Sequence, residues 1–116
     1  MANIDTDIQN KTQEQSTYMA TGNEYQQYAD AIAARINSGD YKDKQEKNEL
    51  SKDQSFWAKS AEEEFNKAKN IGTEIDVLSQ DKSNLEVEVQ NLENTNSQLT
   101  ESITKFEKLD EDTRKT

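Results

Sequence analysis

Cysteine, histidine and proline are all absent from this 116-residue sequence, and glycine occurs three times. Without thiols or imidazoles there is no cysteine nucleophile, no histidine base and no zinc site of the Cys/His type. No metal, cofactor or catalytic residue is therefore expected, and the chain reads as non-enzymatic. The missing proline removes the strongest helix breaker. Apolar residues are scarce, at 30% against the roughly 45–50% of an ordinary domain. No stretch approaches the 18 or so consecutive apolar residues of a membrane span. The first twenty residues also lack the apolar core of a cleaved secretory signal. Basic charge is outnumbered, 14 residues against 24 acids, for a net charge of −10. Phosphate backbones and anionic lipid surfaces both select basic stripes. No nucleic acid, no membrane insertion and no small-molecule substrate are expected as partners. Zero cysteine suits the cytosol, or an exterior reached without disulfide formation.

What remains is charge, together with Gln, Asn, Ser and Thr, which supply about a third of the chain. Such a composition belongs either to a disordered chain or to an extended coiled coil. Periodicity decides for the coil. Punctuation is sparse. At Asn37-Ser38-Gly39-Asp40, Gly39 suits the left-handed end of one helix and Asp40 the cap of the next. Ser51 with Gln54 offers a second possible helix start. Gly22 and Gly72 fall inside periodic stretches. The expected fold is all-α, a long helical hairpin with an extended C-terminal coiled coil. Its parts are a flexible polar leader at 1–12, a first helix at 13–38, a turn and helix start at 39–50, a long coiled-coil helix at 51–110 and a tail at 111–116.

The first helix carries a stripe at Tyr18, Gly22, Tyr25, Ala29, Ile32 and Ile36. Ile4 and Ile8 extend it backwards, but Lys11 and Gln15 interrupt it, so the first ten to fifteen residues are expected to fray. The second helix opens its stripe with Leu50, Gln54, Trp57, Ala61, a slip at Glu64/Phe65, and Ala68. A hairpin at 38–40 lays helix one against roughly residues 45–70. From residue 71 the spacing becomes a regular heptad: Ile71, Ile75, Leu78, Lys82, Leu85, Val89, Leu92, Asn96, Leu99, Ile103 and Phe106. Nine of these eleven core positions are apolar. β-Branched residues at a with leucine at d favour two strands, while polar Lys82 and Asn96 at a select register and partner. These eleven residues are the expected interface with another protein chain, either a second copy or a basic helical partner. In a parallel in-register pair the flanking contacts would be Asp81–Glu86, Glu88–Glu93, Thr95–Thr100 and Ser102–Glu107. Two set acid against acid and none attracts. An antiparallel arrangement, salt, low pH or a basic partner helix relieves that repulsion.

Other chemistry is thin. Glu62, Glu63 and Glu64 fan around a helix and do not converge on one metal or substrate. The acidic run at Asp110 lacks the spaced ligands and central glycine of a calcium loop. Trp57 with Phe56 reads either as the hairpin's largest core residue or as an exposed anchor for a partner. Tyr25, Tyr28 and Tyr41 read as packing residues or as a stacking surface.

Three stretches carry a likeness: the polar segment Asn3 to Thr17, the segment Asp53 to Ser60, and the amphipathic helix ending Ile103-Thr-Lys-Phe106. Together they resemble the filament and needle-tip proteins of bacterial type III secretion systems, over residues 40–108. That resemblance implies an N-terminal helix paired with a long C-terminal coiled-coil helix, and export through an uncleaved polar N-terminus. The sequence departs from the family in lacking a globular insert and in its charged rather than apolar end. The expected function is a coiled-coil structural or assembly protein, a secreted component of such an apparatus and extracellular by a signal-peptide-independent route. The alternative is a cytoplasmic coiled-coil adaptor, chaperone or phage-type scaffold that holds a basic helix.

Overall fold

The computed structural model of the protein describes residues 2–115. It contains two helices, α1 at Ala2–Ser38 and α2 at Lys44–Lys115, and no strand among the described residues. The chain divides into two units, Ala2–Leu78 and Ser79–Thr116, with the boundary inside α2. In the first unit, α1 and the opening half of α2 form an antiparallel hairpin.

The turn follows from two residues. Gly39 adopts φ +77°, the left-handed conformation that ends α1. Its N–H donates to Ile36 O (3.2 Å) and the Asp40 N–H donates to Arg35 O (2.9 Å), so two carbonyls left open by the last turn are both satisfied. The Asp40 carboxylate itself faces Arg35 Nε at 3.6 Å. The cap of α2 is Asp43 instead, whose Oδ1 accepts from the Glu46 N–H at 2.9 Å. Arg35 bridges the two ends, donating from Nη2 to Asp40 O and to Glu46 Oε1, both at 3.2 Å. Ser51 starts nothing: its hydroxyl turns back onto Lys47 O within α2.

The core of the hairpin is narrow and built largely of small residues. Ala29, Leu50, Ala61, Ala68 and Ile71 are buried, and so is Gly22. Gly22 admits Phe65, since a Cβ at that position would lie 2.6 Å from Phe65 Cε1. Trp57 packs between Tyr25 and Tyr28, with ring centroids 5.3 and 5.0 Å away.

The helix begins earlier than the sequence leads one to expect. In place of a leader at 1–12, α1 starts at Ala2, with Ile4 and Ile8 half-buried. The two polar interruptions are the physical reason, because each finds a partner on α2. Gln15 Nε2 donates to Ala68 O (3.2 Å), and Lys11 Nζ pairs with Glu74 at 3.0 Å. The cover that α1 gives α2 therefore extends past residue 70, to Glu74 at least.

Candidate assembly surface

The eleven seam residues fall into two groups. Ile71 is buried, and Ile75 and Leu78 are half-buried, in the hairpin beside the Lys11–Glu74 pair. These three lie in the hairpin unit and are more covered than the rest of the seam. Lys82 is half-buried. The rest behave differently. Leu85, Val89, Leu92, Leu99, Ile103 and Phe106 are all exposed, from 38% at Leu85 to 70% at Phe106, and Asn96 is exposed among them.

Leu85 to Phe106 is one stripe on one helix, apolar except at Asn96. It steps by four and three residues, so the side chains stay on a single face. At 1.5 Å per residue this stripe is about 32 Å long. Its flanks are asymmetric. Glu86, Glu88 and Glu93 border the N-terminal half, whereas Thr95, Thr100 and Ser102 border the C-terminal half, and all six are exposed. No basic residue occurs between Ser83 and Thr104. From residue 71 onward, three exposed apolar residues lie off the seam: Val77, Val87 and Leu109. The heptad reading passed over them because they fall outside a and d.

The other candidates resolve into packing. Trp57 is half-buried and belongs to the hairpin core, but its neighbour Phe56 is 62% exposed at a ring distance of 5.2 Å. Tyr28 donates its hydroxyl to Glu24 Oε1 at 2.7 Å, and that hydrogen bond to a carboxylate raises the phenol above its ordinary pKa. Tyr41 lies under the Lys47 ammonium, 5.6 Å from the ring centre. Of the three consecutive glutamates, Glu64 pairs with Lys67 at 3.1 Å, and this contact raises the lysine pKa. Among the described residues, no group of three or more carboxylates is arranged to hold a metal ion. An open groove of about 390 Å³ is lined by Lys11, Thr73, Glu74, Val77 and Leu78. Its ammonium and carboxylate are engaged with each other. No described helix is long and apolar enough to cross a membrane.

Comparison with known protein families, curated proteins and solved structures yields no match to this chain.

Proposed function

We propose that the protein works by assembly rather than by catalysis, using the apolar stripe from Leu85 to Phe106 as its contact surface with another polypeptide. One observation carries this reading: six large apolar side chains stand exposed on a single face at coiled-coil spacing. Burying them is worth roughly 1–2 kcal/mol each. Twelve such residues in a two-helix contact would offset an association cost of about 4–15 kcal/mol. Sedimentation of the native chain and of the Leu85→Ala/Leu92→Ala variant tests it. Each truncation of a buried leucine costs about 2–5 kcal/mol, so the variant should lose association. Unchanged association would refute the assignment.

The finer reading is an exported structural component similar to type III secretion filament or tip proteins. Its support is the polar composition of residues 3–17 and the pairing of a shorter helix with a longer one. Because Ile4 and Ile8 are half-buried in the hairpin, export led by this segment requires its turns to detach from α2. Fusing residues 1–15 to a passenger tests this, and failure to secrete the passenger counts against it. The acidity of the stripe's N-terminal half supports a second reading, an intracellular adaptor or scaffold that receives a basic helix.

A further inference from the structure

The distribution of charge along the stripe selects among possible occupants. A basic partner helix would find carboxylates mainly beside the first half, at Glu86, Glu88 and Glu93, with Glu107 alone at the far end of the second. Thr95, Thr100 and Ser102 beside the second half give it nothing to pair with. A parallel second copy sets Asp81 against Glu86 and Glu88 against Glu93, each twice by symmetry. An antiparallel second copy avoids both of these acid–acid pairs and keeps a single one, at the axis. Reversing one helix places e opposite e and g opposite g, so the acidic half of each copy faces the hydroxyl-bearing half of the other.

We infer that the stripe's occupant is a second copy of this chain, running antiparallel, with the twofold axis level with Asn94. The inference rests on the reading of Leu85–Phe106 as an assembly surface. In this register Leu85 meets Ile103 of the second copy, Val89 meets Leu99, and Leu92 meets Asn96. Every exposed seam residue from 85 to 103 thus has a partner of matching depth. On the flanks Glu86 lies opposite Thr100, Glu88 opposite Ser102, and Thr95 opposite Thr95. Only Glu93 meets another acid, its own copy. Sliding by one heptad loses the advantage in both directions. One shift sets Glu86 against Glu93 twice, and the other sets Glu86 against Glu107 twice. The sequence is therefore nearly self-complementary in one antiparallel register. Asn96 is the seam's polar position and faces a leucine in this register and in both slips, so the flanking charges, not the amide, choose among the three.

Because the chain has no cysteine, single thiols report the arrangement without background. Val89→Cys and Leu99→Cys both alter exposed positions, leaving the hairpin unit intact. Mixed and oxidised, they should form the 89–99 disulfide between copies, with little same-site product. In a parallel in-register pair, residues 89 and 99 are ten residues apart, or about 15 Å. A disulfide needs Cα atoms about 4–7 Å apart. An 89–89 disulfide, or self-association without any 89–99 product, would overturn the antiparallel register while leaving the assembly surface standing. So would a chain that stays monomeric at high concentration yet captures a synthetic Lys/Arg-flanked amphipathic helix, provided Leu85→Ala/Leu92→Ala abolishes that capture. Self-association indifferent to Leu85→Ala/Leu92→Ala would instead remove the surface itself, as would a monomer that captures nothing.

Discussion

Replacing Gly22 by alanine pits two opposing effects against each other. In an unhindered helix the change is favourable by about 1 kcal/mol, because alanine loses less backbone freedom than glycine. Here the added Cβ would lie 2.6 Å from Phe65 Cε1, 2.7 Å from Cδ1 and 3.1 Å from Cζ. Comfortable carbon–carbon contact lies at about 3.5–4.0 Å. Forcing the ring aside is an overpacking defect of about 1–3 kcal/mol. The net expectation is a loss of about 0–2 kcal/mol. In a Phe65→Ala background the obstacle is gone, so the same Gly22→Ala change should stabilise by about 1 kcal/mol. Urea unfolding followed by helical circular dichroism, on all four members of the cycle, reads the coupling directly. Gly72 is the internal comparator. A Cβ there would meet only Gln15 Nε2, at 2.9 Å, and that terminal amide can rotate away. The lost Gln15–Ala68 hydrogen bond, about 1 kcal/mol, then offsets the helical gain, and Gly72→Ala should be nearly neutral. If Gly22→Ala stabilises equally with and without Phe65, the close approach of that ring is not what selects glycine.

Further substitutions probe the turn, the core and the stripe. Gly39→Ala should cost about 1–2 kcal/mol, purely from the left-handed backbone, since a Cβ there would touch nothing within 4 Å; Gly39→Asn should cost less, and equal losses would contradict this. Asp43→Ala should remove about 0.5–2 kcal/mol, whereas Asp40→Ala should leave the cap of α2 intact; thermal unfolding of the pair separates them. Ala61→Leu should destabilise the hairpin by about 1–3 kcal/mol, because Ala61 is fully buried. Asn96→Val should tighten association yet broaden the distribution of oligomers seen by sedimentation, since an apolar a position no longer penalises alternative oligomeric states.

The helical hairpin is legible in the sequence because its stripes persist, and the left-handed Gly39 is legible because few other residues sit in that conformation. The start of α1 is not. Lys11 and Gln15 look like breaks when judged by side-chain type alone. They become stripe residues only once Glu74 and the Ala68 carbonyl lie opposite, and that information sits some sixty residues away. The cap of α2 escapes for a related reason. Asp40 and Asp43 are both plausible by type, and the choice falls on Asp43 because α2 begins at Lys44, the very next residue, while the Asp40 carboxylate faces Arg35 Nε at 3.6 Å. The division of the long heptad is likewise hidden. Ile71, Ile75 and Leu78 follow the same period as Leu85, Leu92 and Leu99, and period reports that a face must be covered without saying by which helix. The partner of Gly22 leaves a trace, for the slip at Glu64/Phe65 marks the point where a large ring must find room.

The small residues along the hairpin seam have a practical consequence for anyone mapping this protein by mutation. Gly22, Ala29, Ala61 and Ala68 are buried in the hairpin, and spacing between helices is set by what stands between them. Truncation scanning has nothing to remove at these positions, so its map would be blank along the line where the fold is least forgiving. A scan that adds bulk would light up that line. Inherited damage to such a molecule would come as enlargement, a methyl or an isobutyl group too many.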